Sequence, residues 1–281
     1  MKDALEEMSE TPADKLSRVD KIWARDVKEL SYDIEDSIDT FIVRSRYEKT
    51  SELVGIDEAR DELIKMMVMG GSQASKQQEK VVSIVGFGGL GKTTLANVVY
   101  ENLRGQFDCS AFVAVSQTPN MEILFNNLLY QLDKRNNAGI NNVIDDLREF
   151  LHGKRYFIVI DDIWDISVWK IIRYALPDHN RGCKIITTTR IMNVAEEIGC
   201  AYKMKPLCLH SSKILFYRRI FGNKDKCPDE ELAIVSDRIL IKCAGVPLAI
   251  ITIASLLASK GRNKLLGESI RSMGQLPLEE A

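Results

Sequence analysis

Residues 84–100, IVGFGGLGKTTLANVVY, restrict the fold of this chain more than any other stretch. Glycines stand at positions 86, 88, 89 and 91, with an apolar run before them and a helical pattern after them. Glycine reaches backbone torsions that are closed to other residues, and it lacks the Cβ atom that would block a close approach. The pattern therefore predicts a strand, a bare loop that can receive a ligand, and a helix.

Residues 86–93 fit the pattern GxxxxGK[ST], which is the P-loop. We expect the backbone N–H groups of this loop to converge on phosphate oxygens at the positive end of the helix that begins near Thr93. Lys92 would neutralise charge between the β- and γ-phosphates, and the Thr93 hydroxyl would ligate Mg²⁺. A glycine-rich turn without function would not explain the lysine. The expected nucleotide contacts are Gly86, Gly88, Gly89, Leu90, Gly91, Lys92, Thr93 and Thr94.

Charged residues follow two further apolar runs. Asp161 and Asp162 end the run KRYFIVI, and ligands of open α/β sheets bind outside the carboxyl ends of the strands. We expect Asp161 to hold Mg²⁺, directly or through water. Asp162 could polarise an attacking water, as a catalytic residue, or cap the next helix, and the sequence leaves both open. Arg190 follows CKIITTT and could sense a γ-phosphate, with a solvated surface arginine as the alternative.

Short apolar runs alternate with helical patterns through the middle of the chain. Strands that are apolar at every residue and separated by helices predict an α/β fold, with a parallel sheet covered by helices on both faces. The predicted strands are 81–85, 111–115, 156–160 and 184–189.

Helical patterns without strands occupy the two ends of the chain. Residues 14–47 carry apolar positions at steps of three and four. Beyond about residue 205, three helical segments predict a small helical subdomain. The expected domains are an N-terminal helical segment at 1–48, a P-loop nucleotide-binding domain at 49–202, a helical subdomain at 203–270 and a tail at 271–281.

Composition excludes several classes of partner. Lys plus Arg (38) nearly balances Asp plus Glu (40), so bulk charge gives no reason to expect binding to nucleic acid or to an anionic membrane. The six cysteines form no CxxC pair, which favours free thiols in a reducing compartment. The N-terminus is acidic, unlike a signal peptide, and the longest apolar run, 245–258, is too short for a transmembrane segment. We expect a soluble cytoplasmic protein.

The P-loop, the acidic pair and the arginine resemble, in this order, the nucleotide-binding domain of plant intracellular immune receptors, the NLR or NB-ARC family. Other landmarks of that family have counterparts: ELVGID (52–57), FDCSAFVAVSQ (107–117), YKMKPLCLHSSKILFYRRIFG (202–222) and CAGVPLAI (243–250). The resemblance implies the P-loop NTPase fold, with ADP or ATP and Mg²⁺ as cofactors. It also implies that adenine lies between the two domains, with Val54 and Pro247 lining its pocket. From the residues alone, Pro247 is only a proline at the first position of a helix.

The N-terminal segment carries a second resemblance. VKELSYDIEDSIDTF (27–41) is similar to the EDVID stretch of coiled-coil-type receptors, with a solvated acidic helix face as the alternative. The resemblance implies protein partners through the N-terminal helices, either other immune receptors or a second copy of this chain. The family architecture continues with a second ARC subdomain, which holds the MHD motif, and with leucine-rich repeats. The resemblance therefore predicts a truncated form.

The function implied by the resemblance is an ADP/ATP-binding molecular switch in plant defence, with at most slow ATPase activity. Two other classes remain open at this point. One is a nucleotide-independent adaptor that acts through residues 14–47. The other is a P-loop small-molecule kinase in which Asp162 activates an acceptor hydroxyl.

Overall fold

The structure is a computed structural model that describes residues 53–68, 80–132, 143–177, 182–222, 225 and 230–259. The predictions for the N-terminal helical segment and the tail lie outside the described residues.

In the described residues, five parallel strands form a sheet in the order β2-β3-β4-β1-β5. The four predicted strands are confirmed to within two residues at each end. The sequence missed β5, a four-residue edge strand whose two end residues are exposed, so it lacks the continuous apolar run that marked the others. The bounds are β1 Lys80–Val85, β2 Cys109–Ala114, β3 Tyr156–Asp161, β4 Lys184–Thr189 and β5 Cys200–Lys203.

The helices of the described segments form where apolar residues recur along one side. In α3, for example, each buried residue has another buried residue three or four positions away, the spacing that puts them on one face. The bounds are α1 Asp57–Val68, α2 Lys92–Leu103, α3 Met121–Leu132, α4 Val143–Leu151, α5 Ile166–Ala175, α6 Met192–Ile198, α7 Leu209–Phe221, α8 Glu230–Lys242 and α9 Pro247–Ser259. None of these helices has the length and hydropathy that crossing a membrane requires.

Helices cover both faces of the sheet, as predicted. Alternate residues of β3 point to opposite faces. Ile158 belongs to a core with α3, α4, α5 and α6, whereas Phe157 belongs to a second core with α1 and α2. All six residues of β3 are buried as a result. The polar group at the end of this strand, Asp161, is therefore held on a rigid element.

The last three helices of the described residues have a core of their own. Phe216 and Tyr217 of α7 pack with Ile239 of α8 and with Ile250 and Leu257 of α9. The three predicted C-terminal helices are thus confirmed, and they form one packed unit. The domain boundaries expected from the sequence stay predictions.

Candidate phosphate-binding site

The loop between β1 and α2 has little room for a side chain at two of its glycines, Gly86 and Gly89. Gly89 and Gly91 adopt φ values of 75° and 92°, in the left-handed region that favours glycine. A Cβ atom on Gly89 would lie 2.9 Å from the Cβ atom of Leu248. A Cβ atom on Gly86 would lie 2.8 Å from Cδ1 of Leu90. The loop thus requires glycine both for its torsions and for its close contacts.

The loop presents hydrogen-bond donors at the start of α2. Within the described part of the chain, the backbone N–H groups of Gly88, Gly89 and Gly91 donate to no backbone carbonyl. Lys92, only 7% exposed, folds back and donates from Nζ to the carbonyl oxygen of Phe87 at 3.1 Å. Because helix N-termini are electropositive, backbone amides and an ammonium group at this position form a cradle suited to an anion.

The end of β3 lies close to the start of α2, although β4 separates β3 from β1 in the sheet. The Thr93 hydroxyl donates to the Asp161 carboxylate, at 2.9 Å from Oδ2 and 3.1 Å from Oδ1. Thr188 of β4 donates to Oδ1 of Asp161 at 2.6 Å. Asp161 is 5% exposed, so a buried carboxylate is held by two hydroxyl groups. The structure therefore brings the predicted metal residues Thr93 and Asp161 together.

These residues fit a magnesium ion. Thr93 donates its proton to Asp161, which leaves lone pairs on the hydroxyl oxygen. Hydroxyl and carboxylate oxygens are the ligands that Mg²⁺ prefers in proteins. The glycine loop beside them offers amides for the phosphate groups that usually complete such a site.

Asp162 has a different environment from Asp161. It adopts a φ of 63°, an uncommon conformation for a residue other than glycine. Its Oδ2 accepts a hydrogen bond from Nε1 of Trp164 at 2.8 Å, and its Oδ1 lies 3.7 Å from Nε of Arg190. The helix-cap alternative for Asp162 is wrong, because α5 is capped by Asp165, whose side chain accepts from the backbone N–H of Ser167.

Arg190 follows β4, so it lies at the carboxyl end of the sheet, as the glycine loop does. Its side chain is 10% exposed, and the guanidinium carbon lies 5.1 Å from the centre of the Trp164 ring. The alternative of a solvated surface arginine is therefore wrong. Trp164 holds this arginine together with Asp162, a role that the sequence reasoning did not assign to it.

Val54 and Pro247, the two residues expected to line an adenine pocket, lie in segments that both contact Leu207, in the segment between β5 and α7. Beside Val54, a Cβ atom on Gly55 would lie 2.7 Å from Cδ2 of Leu207. Leu207 in turn donates from its backbone N–H to the carbonyl of Gly245 at 2.8 Å, two residues before Pro247. The adenine-contacting roles of Val54 and Pro247 stay predictions.

The helical subdomain contacts the glycine loop directly. Leu248, the second residue of α9, donates from its backbone N–H to the carbonyl oxygen of Gly89 at 3.2 Å. On another side of the loop, the Cε atom of Met204 would lie 3.6 Å from a Cβ atom on Gly91. The sequence reasoning missed these two neighbours, since no local pattern indicates a contact between distant segments.

The NB-ARC domain family model matches residues 58–225, which is more than half of the chain. The chain belongs to the NB-ARC family. A second family model, the Rx N-terminal domain, matches residues 1–80. Both matches agree with the resemblance found in the sequence, and they favour neither the kinase nor the adaptor alternative.

Among similar proteins are disease resistance proteins of plants. RGA5 from Oryza sativa subsp. japonica is 40% identical over 234 residues, which cover 79% of this chain and 20% of RGA5. The ToMV resistance protein Tm-2(2) from Solanum lycopersicum is 37% identical over 195 residues, which cover 66% of this chain and 22% of that protein. This NB-ARC chain therefore spans about a fifth of the length of these relatives.

A solved structure supports the fold alone. A chain in the structure of Drosophila ORC bound to DNA superimposes with a TM-score of 0.50 at 12% identity, covering 80% of this chain and 69% of that chain. The predicted P-loop NTPase fold, with a parallel sheet between layers of helices, is thus confirmed.

Proposed function

We propose that this chain binds ADP or ATP together with Mg²⁺ and acts as the nucleotide-dependent switch of a plant disease resistance protein. The observation that carries this proposal is the hydrogen-bonded group of Thr93, Asp161 and Thr188. It places a buried carboxylate beside a lysine-bearing glycine loop. The names of the plant relatives supply the biological setting.

Each site residue has a separate task in this proposal. The loop amides and Lys92 bind the phosphates, while Thr93 and Asp161 hold Mg²⁺, which neutralises phosphate charge when bound. Arg190 senses the γ-phosphate. Asp162 remains our candidate for orienting an attacking water, but its bond with Trp164 and its proximity to Arg190 favour a second role in restraining that arginine.

The contact between the glycine loop and α9 offers a route from phosphate to subdomain. The carbonyl of Gly89 accepts from Leu248, so a change of loop conformation on phosphate binding alters a bond to the helical subdomain. A ligand shifts such an equilibrium only by its difference in affinity for the two states. We therefore propose that ADP and ATP differ in how they stabilise this contact.

Partners and compartment follow the same proposal. The match to the Rx N-terminal domain supports protein partners that bind through the N-terminal segment, either other receptors or a second copy of the chain. The five described cysteines are free thiols, as expected for a cytoplasmic protein.

The nucleotide that co-purifies with the chain tests the proposal. The protein is purified without added nucleotide and denatured, and the released molecules are identified by anion-exchange chromatography. We expect an adenine nucleotide, mainly ADP, close to one per chain. If the site is empty, the chain is incubated with ADP and Mg²⁺ and the measurement is repeated. A chain that still takes up no adenine nucleotide would contradict the proposal.

A further inference from the structure

One buried hydroxyl group on β4 holds both acidic residues of the site. Thr188 is 1% exposed, and its Oγ1 donates to Oδ1 of Asp161 at 2.6 Å. The same oxygen accepts from the backbone N–H of Asp162 at 2.8 Å. A hydroxyl has one proton to donate and two lone pairs to accept. Thr188 uses both capacities on two consecutive residues.

The position of Thr188 follows from the strand order. The central strand β4 lies between β3, which ends at Asp161, and β1, which leads into the glycine loop. The backbone carbonyl of Thr188 also accepts from the N–H of Ile163 at 2.8 Å. Its side chain and its backbone therefore fix the turn that follows β3.

The hydrogen bond to Asp161 restricts a side chain that would otherwise rotate broadly about its last torsion. With Oδ1 held by Thr188, Oδ2 lies 2.9 Å from the Thr93 hydroxyl. In this orientation the Asp161 carboxylate and the Thr93 hydroxyl lie side by side, where both could bind the same metal ion.

The hydrogen bond to Asp162 stabilises an unfavourable backbone conformation. A left-handed φ is unfavourable in a residue other than glycine, and it persists only where its surroundings impose it. In this turn the Asp162 carboxylate lies beside Trp164 and Arg190, whereas the Asp161 carboxylate accepts from Thr93. The two acids can then have different tasks although they are adjacent in sequence.

We propose that Thr188 is a positioning residue that sets the affinity of the site for Mg²⁺ by orienting Asp161, and that it also holds the Asp162 turn. The inference rests on the proposed nucleotide function. Outer partners of metal ligands typically change metal affinity by roughly 10- to 100-fold when they are removed.

Three variants separate positioning from simple packing. Thr188→Val keeps the shape and removes the hydroxyl, Thr188→Ser keeps the hydroxyl, and Thr188→Ala is a second hydroxyl-free variant if valine prevents folding. The matched control is Thr187→Val. Thr187 is also buried, and its hydroxyl donates to Ser83 at 2.8 Å on the opposite face of β4.

The first measurement is ADP affinity as a function of Mg²⁺ concentration, with EDTA as the metal-free reference. For Thr188→Val we expect the Mg²⁺ concentration at half-maximal effect to rise roughly tenfold, with the affinity in EDTA nearly unchanged. Thr188→Ser should resemble the wild type. Thr187→Val should lower the thermal midpoint without changing the Mg²⁺ dependence. Equal Mg²⁺ dependence in wild type and Thr188→Val would overturn the metal role.

The second measurement needs no nucleotide. The indole N–H of Trp164 donates to Asp162, so its NMR resonance reports on the Asp162 turn. We expect Thr188→Val to shift this resonance and Thr187→Val to leave it in place, with Trp164→Phe used for assignment. An unchanged resonance in Thr188→Val would overturn the positioning of Asp162.

The two measurements distinguish the failure of each proposal. If the wild type binds no adenine nucleotide, the proposed function fails and the metal role of Thr188 fails with it. The indole resonance then still decides whether Thr188 holds the Asp162 turn. If the wild type binds ADP and neither readout responds to Thr188→Val, the further inference alone fails.

Discussion

Charged residues lie at both ends of the sheet, but they are buried at one end and exposed to solvent at the other. At the carboxyl end, Lys92 and Asp161 are 7% and 5% exposed, and Asp161 is held by two hydroxyl groups. At the amino end, Asp108 and Arg155 form an ion pair at 3.0 Å with side chains that are 43% and 56% exposed. The same kinds of group are thus buried at one end and solvated at the other.

This difference in burial shows that the carboxyl end of the sheet carries the free-energy cost of removing charged groups from water. An exposed ion pair is solvated on both sides and contributes little to stability. A buried charge loses its hydration and is tolerated only where partners replace the water. The burial of charge therefore supports our proposal that the carboxyl end is the functional end, more clearly than the number of charged residues does.

The largest effect that we expect from a change at the carboxyl end follows the loss of the buried carboxylate. Asp161→Asn removes the charge but keeps the size of the side chain. The Mg²⁺ concentration needed for ADP binding should rise by roughly 100-fold, because a direct or near ligand of the metal becomes neutral. Titration of ADP binding with Mg²⁺ measures this change.

A neighbouring acid supplies the control for that variant. Asp165→Asn also removes one carboxylate, but at an exposed position where the side chain only caps α5, and asparagine caps helices as well as aspartate does. The Mg²⁺ dependence of this variant should match that of the wild type. If Asp161→Asn and Asp165→Asn show the same Mg²⁺ dependence of ADP binding, the claim that Asp161 holds the metal is refuted.

A smaller effect is expected for Asp162→Asn, which tests whether Asp162 restrains Arg190. Asparagine tolerates the left-handed conformation and can still accept from Trp164, but it cannot form an ion pair with Arg190. If the pair contributes about 1 kcal/mol, the affinity for ATP relative to ADP should rise roughly fivefold.

The same variant also tests the alternative role of Asp162. A residue that only orients the attacking water would leave the ratio of ATP to ADP affinity unchanged, while any hydrolysis would slow. Competition binding with the two nucleotides and a phosphate-release assay separate these outcomes.

The smallest effect is expected at the amino end of the sheet. Hydrogen bonds from Arg155 hold the pKa of Asp108 below its usual value. The ionised form is therefore favoured by folding, and this contribution is present above the unfolded-state pKa of about 3.9 and is lost as the pH falls through the folded-state pKa. Urea unfolding should show a small difference between wild type and Asp108→Asn at neutral pH that disappears in acid.

The ADP affinity of Asp108→Asn tests whether a change at the amino end of the sheet affects binding at the carboxyl end. Asp108→Asn should bind ADP as the wild type does, since the residue lies at the opposite edge from the glycine loop. A clear loss of ADP affinity would instead show that the two ends of the sheet are coupled.

Local sequence patterns predicted the parts of the site that depend on local chemistry. Glycine, lysine and threonine at fixed spacing indicated the loop, and an apolar run followed by an acid indicated the end of β3. The sequence left the helix cap open as one of two roles for Asp162, because acids stand at both 162 and 165, but only Asp165 directly precedes the helix. The position of Asp165 directly before the first residue of α5 was the signal that would have found the cap.

Long-range neighbours could not be predicted in this way. The role of Thr188 depends on β4 lying between β3 and β1, and strand order is not written in any single segment. The contact between Leu248 and Gly89 joins residues far apart in sequence, so its geometry exists only in the folded chain. Trp164 was overlooked for a related reason, because its importance comes from Arg190, which follows β4 and is distant in sequence.

The most direct test of the central claim compares a lysine at each end of the sheet. Lys154, before the start of β3, lies 3.2 Å from the centre of the Phe150 ring and far along the strand from the glycine loop. Isothermal titration with ADP and Mg²⁺ would be run on wild type, Lys92→Ala and Lys154→Ala. A hydrogen bond to a charged group contributes about 1.5–3 kcal/mol, so Lys92→Ala should bind roughly 10- to 150-fold more weakly. Lys154→Ala should bind as the wild type does. Equal affinities for wild type and Lys92→Ala would contradict the claim that the buried lysine and the glycine loop bind the phosphates.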